Sequence, residues 1–533
     1  MSHCSHARRL LAAVLMFALT AFLGLGSAVH AKEKPKELVL AVGGENADGY
    51  DPLVGWGQYG HPIFQSTLLK RDADLKMVGD LAESWTLSDD RLTWKVTIRK
   101  DAKFSDGKPL TAEDVVFTFN KAAEAAGKTD VTALKEAVAT GPHSLELRLK
   151  EPQITFVNHL VTLGIVPKHA YGPGYARNPI GSGPYKLVNW NEGQQLVVEA
   201  NPLYYGSKPQ FERVVFLFTD EDTSFAAAKA GKVHLVGVPS SLAKQAVPGM
   251  KVRSVKSVDN RGLMFPMVPD TGQKTPNGNP IGNNVTSDPA IRKAVNLAID
   301  RKALVEGVLE GFGSPAYGVV DNLPWEEKSA RFTDNDQAKA KQLLADAGWK
   351  PGADGILVKN GQKAEFTIVY NAKDSLRQAL ALAVSGMLKK VGINAVVKGT
   401  NWDEIKKNLT HSNVVVYGFG DHSPLEMYKL YHSRKDLNIY NAGLYANPKV
   451  DEYLDKAMAA ASFDASIPLW KAAQWDGKTG FGFPGDAAWA WMVNLDHTYF
   501  IDENLDVGRS QMEPHGHGWP ITTNIEEWKW TGK

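Results

Sequence analysis

At 533 residues, the chain exceeds what one ordinary hydrophobic core fills, and its length predicts two to four domains. Apolar residues make up 43% and charged residues 22% of the sequence, which is typical of a globular protein and excludes a disordered or fibrous chain. The formal net charge of +1 gives no basis for binding to nucleic acid or to a polyanionic membrane surface, so we expect neither partner.

The N-terminus carries the pattern of a secretory signal peptide. Arg8 and Arg9 precede an apolar run that ends near Leu25, and Val29 and Ala31 occupy positions −3 and −1 of a cleavage site. The run is too short for a stable membrane span, and no later stretch approaches about 20 consecutive apolar residues. We therefore predict that this segment is cleaved and that the mature protein lies in the periplasm.

The cysteine count restricts the chemistry of the mature protein. Cys4 is the only cysteine of the sequence, and it lies ahead of the apolar run. A lipoprotein cysteine stands at the cleavage point instead, so we predict no lipid anchor. Without Cys4 the mature chain has no disulfide, no thiol nucleophile and no cysteine-based metal site.

The first mature segment predicts a strand followed by an aromatic loop. Glu37 to Val42 is a short β-type run, which suits the opening strand of a mixed sheet in an α/β architecture. The glycine-rich loop at 55–60 carries Trp56 and Tyr59, and His61 follows it. These aromatic side chains either pack back on the sheet or form one wall of a ligand pocket.

The stretch from residue 81 to residue 119 predicts a strand, a turn and a capped helix. Apolar and polar residues alternate between positions 92 and 99, the pattern of a strand with one buried face. Asp106-Gly107 then predicts a turn. Thr111 and Asp114 form a capping box at the start of a helix.

Sequence motifs in this region resemble a known family. LAESW, LTWKVTIRK and KFSDGKPLTAEDV, in that order, resemble the signature of the family 5 extracytoplasmic solute-binding proteins, which include the dipeptide, oligopeptide and nickel receptors of ABC importers. Further matches are NPIGSGPYKLVNW at 178–190, NPLYYG at 201–206 and the helix that follows the N-cap Asp288. The resemblance extends from about residue 37 to residue 500.

The resemblance implies an α/β fold of the periplasmic binding protein type II class, with two lobes, a hinge and an inserted subdomain in the first lobe. The loop at 267–287, rich in Pro, Gly, Asn and Thr, is the predicted crossover between the lobes. The implied division is a signal peptide at 1–31, lobe I at 32–75 and 191–270, the inserted subdomain at 76–190, lobe II at 271–495, and a C-terminal segment at 496–533 that returns to lobe I.

The same resemblance implies how such a protein works. A small ligand binds between the lobes, which close around it, and an ABC permease in the inner membrane recognises the closed form. We expect a monomer that needs no cofactor and transforms no group. The sequence agrees, because it has no His-Glu-x-x-His zinc helix and no Gly-x-Ser-x-Gly elbow.

Histidines provide candidate metal ligands. His515 and His517 flank a glycine near the C-terminus, and imidazole is a common ligand of nickel, copper and zinc. A metal needs a third donor from elsewhere in the chain, and the candidates are His61 and His422. The alternative for the His-Gly-His segment is an exposed coil or a structural role beneath Trp519.

A glycine-flanked turn provides the candidate peptide contact. The strand at 414–417 ends at this turn, where open α/β sheets present ligand-contacting side chains. Peptide receptors of the family carry an aspartate here that pairs with the ligand's amino terminus, and Asp421 resembles it although the turn is one residue shorter. Nickel receptors carry a nearby histidine, which His422 resembles. Alternatively, Asp421 caps the helix that follows. Asn441 resembles a family position along the cleft.

Three ligand hypotheses follow. The first is nickel, held by histidines directly or through a small chelator such as free histidine. The second is a dipeptide or oligopeptide whose α-amine pairs with Asp421. The third is an extended polypeptide, held in the cleft by a periplasmic chaperone or scaffold.

Overall fold

The computed structural model of the protein describes residues 33–60, 62–125, 129–433, 437–516 and 518–532. The predicted signal peptide and two predicted metal ligands, His61 and His517, lie outside the described residues. Within these ranges, none of the helices has both the length and the apolar character needed to cross a membrane.

Strands and helices alternate along most of the chain. The strands are β1 (Leu38–Ala41), β2 (Leu69–Arg71), β3 (Met77–Gly79), β4 (Ala82–Leu87), β5 (Thr93–Ile98), β6 (Leu134–Gly141), β7 (Ser144–Leu149), β8 (Tyr185–Asn191), β9 (Gln195–Ala200), β10 (Arg213–Leu217), β11 (Leu235–Val238), β12 (Met250–Met264), β13 (Gly313–Pro315), β14 (Lys350–Pro351), β15 (Leu357–Lys359), β16 (Gln362–Lys363), β17 (Glu365–Asn371), β18 (Asn394–Thr400), β19 (Val414–Tyr417), β20 (Trp489–Asp502), β21 (Leu505–Asp506) and β22 (Lys529–Trp530). The α-helices are Ala112–Ala125, His159–Thr162, Glu221–Lys229, Ser240–Ala243, Pro289–Ala298, Arg301–Gly307, Gln337–Asp346, Ser375–Lys389, Trp402–Glu404, Leu425–Tyr431, Pro448–Met458 and Phe463–Gln474, with a π-helix at Ile405–Leu409 and 3₁₀ helices at Pro52–Val54, Ile154–Asn158, Tyr175–Arg177, Lys328–Ala330 and Pro520–Glu527.

One large mixed sheet runs through the molecule. Its strand order is β18-β17-β19-β12-β20-β11-β1-β10-β9-β8, and β13 pairs with β20 beside this path. The two longest strands, β12 and β20, are antiparallel at its centre, from Met250 opposite Asp502 to Met264 opposite Trp489. Their register shifts between Lys256 and Asn260, which marks a bulge near mid-length. A separate four-stranded sheet has the order β4-β5-β7-β6.

The buried apolar residues form distinct cores. One core runs from Leu53 to Tyr175 and includes the four-stranded sheet and the helix Ala112–Ala125. Another combines β1 and the strands β8 to β11 with the C-terminal residues up to Trp530. Two more cores lie between Val258 and Leu495. On this basis we propose the division into lobe I, inserted subdomain and lobe II, with the passage from lobe I to lobe II on β12 between Val255 and Val258 instead of at residue 270.

The chain passes between lobe I and lobe II on β12 and β20. Val255 of β12 packs in the lobe I core, and Val258 already packs in a lobe II core. The loop at 267–287 is therefore not the crossover, and that prediction is wrong. The loop lies within lobe II, where Asn283 donates a hydrogen bond of 3.1 Å to the carbonyl of Ser412. Its polar composition reflects an exposed loop that bonds to its neighbours.

Local sequence signals are confirmed where they concern helix starts. The Asp114 carboxylate accepts hydrogen bonds from the backbone N–H and the hydroxyl of Thr111, at 2.9 and 3.1 Å, and the first of these is the carboxylate half of a capping box. Asp288 accepts from the backbone N–H of Ala290 at 2.9 Å, and Pro289 occupies the first helical position. In β5, Trp94, Val96 and Ile98 are buried as the alternation predicts.

Candidate functional site

A cleft of about 1350 Å³ lies between the lobes. This volume exceeds the roughly 300 to 1,000 Å³ of pockets for drug-sized ligands. Lobe I lines it with two groups of loops, at 41–46 with 55–60 and at 219–224 with 237–241, and lobe II lines it with residues around 308–312, 375–379, 406 and 439–440. Strand β20 and the C-terminal segment, up to Thr522, complete the wall.

The aromatic loop predicted from the sequence lines this cleft. Trp56 is buried, with its ring centroid 4.8 Å from Tyr50 and 5.1 Å from Trp519 in edge-on geometry. Tyr59 lies beside it in the cleft wall, with its ring centroid 6.2 Å from His515. Both interpretations of the loop therefore hold at once, because the aromatics pack on lobe I and also form a pocket wall.

The turn before Asp421 requires a glycine. Gly420 has a φ of +142°, and a Cβ at this position would lie 2.1 Å from the carbonyl oxygen of Val258. Only glycine allows the turn to lie this close to β12. The next side chain, that of Asp421, is exposed to solvent.

Two charged groups lie near Asp421, namely Lys429 of the following helix and Arg71 of β2. The Asp421 side chain is exposed by its accessible surface, yet the dense protein around it raises the pKa of its carboxyl group, while Lys429 and Arg71 lower it. The charge of Asp421 in turn raises the pKa values of Tyr59 and Tyr440, which both line the cleft. Asp421 therefore lies next to one end of the cleft.

The alternative role of Asp421 as a helix cap is wrong. The N-cap of the helix Leu425–Tyr431 is Pro424, which supplies no side-chain hydrogen bond. The hydroxyl of Ser423 instead accepts a hydrogen bond of 3.3 Å from the backbone N–H of Leu425. The Asp421 carboxylate therefore does not cap this helix, and it accepts hydrogen bonds from the backbone of His422 and Ser423 but from no side chain of the described residues.

His422 points away from solvent. Its ring is buried and hydrogen-bonds to the backbone of Met512, and its Nε2 has no hydrogen-bond partner among the described residues. Burial and the nearby Arg71 guanidinium lower the pKa of the imidazole to about 3, so the ring is neutral. Arg71 also donates to the carbonyl of His422 at 3.1 Å and to Oδ1 of Asn158 at 2.5 Å. His422 therefore lies where lobe II meets the inserted subdomain.

The predicted metal ligands are not brought together within the described part of the chain. His515 Nδ1 lies 2.5 Å from Oδ1 of Asp259 in an ion pair, so it is neither an exposed coil residue nor a partner of His422. Searched over the described ranges, the structure contains no group of three or more His, Cys, Asp or Glu residues arranged to hold a metal ion.

Asn441 holds a loop in place. Its side-chain amide donates to the carbonyls of His432 and Tyr445, at 3.1 and 2.8 Å, and its Oδ1 accepts from the backbone N–H of Tyr445 at 2.9 Å. All of its hydrogen bonds to these groups stay within lobe II. The neighbouring Tyr440 lines the cleft in its place.

A buried network at the crossing strands was not predicted from the sequence. Asp259 of β12 pairs with Arg261 and His515, and His497 of β20 lies with Nε2 3.6 Å from Asp259 Oδ2. His497 Nδ1 lies 2.6 Å from Oε2 of Glu513. These residues come from distant parts of the sequence. The sequence gives little signal for them, because Asp259 and Arg261 lie in a strand that also contains other charged and polar residues.

The network also joins the C-terminal segment to the hinge. The backbone N–H of Val258 donates to the carbonyl of Glu513 at 2.9 Å, and the N–H of Glu513 donates to Lys256 at 2.8 Å. Tyr499 of β20 donates its hydroxyl to Glu513 Oε2 at 2.7 Å. The C-terminal segment thus pairs with β12 at the bulge, and Asp259 and His497 line the floor of the cleft.

This network predicts a pH-dependent stability. Burial lowers the pKa of His497, but Asp259 and Glu513 oppose this effect and raise it to about 9, above the ordinary 6.5. Folded protein therefore holds this proton where the unfolded chain has lost it. The stabilisation is complete below pH 6.5 and is lost as the pH rises through 9, with a size on the order of 2 kcal/mol. Urea unfolding at pH 6.5 and pH 9.5 measures it.

The matched control is the His497→Asn variant, which lacks the titrating ring. Its free energy of unfolding should change less between the two pH values than that of the unsubstituted protein. Equal changes in both proteins would show that His497 does not carry the effect.

The sequence matches a family model and curated relatives. Residues 76–479 match the model described as bacterial extracellular solute-binding proteins, family 5 Middle. The chain is 32% identical over 499 residues to Protein XP55 of Streptomyces lividans, covering 90% of this chain and 88% of that protein. It is 31% identical over 420 residues to the oligopeptide-binding protein AppA of Bacillus subtilis, covering 74% and 75% of the two chains.

Solved structures give the same result for the fold. The structure of AppA from Bacillus subtilis in complex with a nonapeptide matches with a TM-score of 0.69 and 26% identity, over 93% of this chain and 98% of that chain. The crystal structure of NikZ from Campylobacter jejuni in complex with Ni(L-His) matches with a TM-score of 0.76 and 24% identity, over 93% and 100% of the two chains. At that identity, the likeness to NikZ is one of fold alone.

Proposed function

This chain belongs to the bacterial extracellular solute-binding proteins of family 5, and we propose that it binds a peptide with a free amino terminus in the cleft between its lobes. Members of the family are the extracytoplasmic substrate-binding components of ABC importers. The predicted family and the predicted type II periplasmic binding fold are both confirmed.

The position of Asp421 carries the proposal. Its carboxylate is exposed, lies beside the cleft-lining Tyr59 and Tyr440, and forms no ion pair with another described residue. A carboxylate in such a site is matched by a ligand cation, and charge-assisted hydrogen bonds between them are the strong kind. The α-ammonium group of a peptide supplies both the charge and the donors.

The size of the cleft supports a ligand longer than one amino acid. Its volume of about 1350 Å³ is above the range for drug-sized ligands and leaves space for several residues beyond the ammonium group. The relative AppA from Bacillus subtilis is named an oligopeptide-binding protein, and its structure holds a nonapeptide. A peptide ligand is therefore the first candidate for this chain.

A nickel complex is the second candidate. The observation in its favour is the neutral, buried imidazole of His422, whose Nε2 has no hydrogen-bond partner among the described residues. Neutral imidazole nitrogen is the form that binds nickel. Direct coordination by His422 and His515 together has no support, because Asp259 holds His515 elsewhere.

Isothermal titration calorimetry on chelator-treated protein tests these candidates. We expect trialanine and longer alanine peptides to bind with micromolar or lower Kd, and their N-acetylated forms to bind much more weakly. Nickel chloride is added with and without free histidine as the second arm. If the protein binds nickel in the presence of histidine and binds no peptide, the peptide proposal is overturned. A separate light-scattering assay tests the chaperone hypothesis, which would be favoured if the protein suppressed the aggregation of unrelated unfolded chains without selectivity.

Location and assembly complete the proposal. We propose that the signal peptide is cleaved after Ala31 during export and that the mature protein stays in the periplasm without a lipid anchor. There it acts as a monomer that delivers its ligand to an ABC permease. Mass spectrometry of the purified periplasmic protein identifies its first residue. A mature chain that retains residues before Lys32 would contradict the cleavage site.

A further inference from the structure

Glu426 is a buried carboxylic acid without a partner. It lies in the helix Leu425–Tyr431, is only 8% exposed, and forms no hydrogen bond or ion pair through its side chain with the described residues. Burial of an unpaired carboxylate is strongly unfavourable, so such a group holds a proton or meets a cation. Sequence reasoning did not single it out, because nothing in the local pattern distinguishes it from a surface glutamate.

The charged groups around Glu426 come from several elements. Asp421 approaches from the preceding turn, and Lys429 lies one helical turn further along the same helix. The charge of Glu426 also raises the pKa values of Tyr59 in lobe I and of Tyr440, and both tyrosines line the cleft. Glu426 follows Asp421 by five residues, and Lys429 of the same helix places its Nζ 5.3 Å from the ring centroid of the cleft-lining Tyr440, so the two carboxyl groups lie near the same end of the cleft.

Lys429 does not neutralise this acidic pair. Its Nζ lies 5.3 Å from the ring centroid of Tyr440, and no ion pair joins it to a carboxylate among the described residues. The charge of Asp130 in the inserted subdomain raises the pKa of Lys429, and the charge of Arg71 in β2 lowers the pKa of Asp421. Arg71 donates its hydrogen bonds to Asn158 and to a backbone carbonyl. Neither cation thus makes a direct bond to Glu426.

Like charges explain the state of the empty site. Burial and the charge of Asp421 raise the pKa of Glu426 to about 7, and Lys429 partly offsets this rise. Near neutral pH, Glu426 is therefore protonated in about half of the molecules. A cation placed between the two carboxyl groups would replace that proton.

We propose that Glu426 is a second carboxylate of the ammonium site and binds the N-terminal ammonium group of the peptide together with Asp421, a role that rests on the proposed function. Glu426 ionises as the ligand binds, and its proton passes to the solvent. The ammonium group then lies between two carboxylates, so the charge of the occupied site differs little from that of the empty one. The site thereby selects a primary ammonium group over a blocked amino terminus.

Proton release during binding tests this proposal directly. Trialanine is titrated into the unsubstituted protein at pH 7 in two buffers with different enthalpies of ionisation. The difference between the two measured enthalpies gives the number of protons released. The free α-amine has an ordinary pKa of about 7.7 to 8.0 and must carry a proton to bind, so we expect a net release of a little under half a proton per peptide at pH 7 and a net uptake at pH 8.5.

The Glu426→Gln variant removes the titrating group with little change of shape. We expect it to bind trialanine about tenfold more weakly and to release no proton. The matched control is Glu452→Gln, since Glu452 is a surface carboxylate that pairs with Lys449 and Lys456 and does not line the cleft. That control should bind the peptide and release protons as the unsubstituted protein does.

The outcomes separate this proposal from the function on which it rests. If the unsubstituted protein binds trialanine without releasing protons, or if the Glu426→Gln variant binds and releases protons normally, Glu426 is not part of the site and the peptide function stands. If the folded protein binds no peptide in any buffer, the peptide function itself fails and this proposal fails with it. The number of protons released is measured on the unsubstituted protein, so this measurement tests the proposal even if the Glu426→Gln variant does not fold.

Discussion

Replacement of Arg301 by methionine is expected to lower the free energy of unfolding by about 3 to 5 kcal/mol. The Arg301 side chain is fully buried beneath strand β20. Its Nε donates to the carbonyls of Ala316 and Trp491, both at 2.8 Å, and its Nη atoms donate to Asn296. It also pairs with Asp334 at 3.2 Å. Methionine fills the volume but leaves these acceptors without a donor.

Urea denaturation with linear extrapolation measures this loss. The neighbouring Lys302 provides the matched control, because it is exposed and its one ion pair among the described residues is with Glu306 on the same helix at 3.6 Å. Lys302→Met should change the free energy of unfolding by no more than about 0.5 kcal/mol. A loss below about 1 kcal/mol in Arg301→Met would show that the buried acceptors find other donors or water.

Replacement of Asp421 by asparagine is expected to raise the Kd for trialanine by at least about 30-fold, or about 2 kcal/mol. Asparagine keeps the shape of the side chain but removes the charge that balances the ligand ammonium group. The fold should be unaffected, because the Asp421 side chain is exposed and caps no helix. Calorimetry gives the affinity, and a thermal melt of the empty protein checks its stability.

N-acetylated trialanine serves as the control on the side of the ligand. It lacks the ammonium group, so its weak binding should be nearly the same to the variant and to the unsubstituted protein. If Asp421→Asn weakens both peptides equally, the side chain acts through the shape of the turn. If it weakens neither, the ammonium group binds elsewhere in the cleft.

The sequence predicted those features whose causes are local. The alternation that forms β5, the capping pair Thr111 and Asp114, and the N-cap at Asp288 involve residues within a few positions of one another, and all three are present in the structure. The aromatic loop with Trp56 and Tyr59 was also placed correctly in the cleft wall as one of two alternatives. The glycine spacing and the two aromatic residues of the loop were sufficient for that prediction.

Features that depend on distant residues were not predictable in the same way. The loop at 267–287 has the composition of a crossover, but composition does not reveal that Asn283 bonds to Ser412 in the same lobe. His515 has the chemistry of a metal ligand, but its partner Asp259 is more than 200 positions away. Glu426 is distinguished only by its burial, and a helix of seven residues is too short for its hydrophobic pattern to predict which side chains are buried.

The central position of β12 and β20 restricts how the two lobes are able to move. Both connections are long strands that are hydrogen-bonded to one another. A rotation of one lobe against the other must therefore bend this two-stranded ribbon. The ribbon is most compliant where its ladder is already interrupted, near Lys256 to Asn260, and twisting or sliding in other directions would break regular bonds. We therefore expect the motion to have a single soft axis, so that a pair of fluorophores, one on each lobe, would report ligand uptake as one monotonic change in distance.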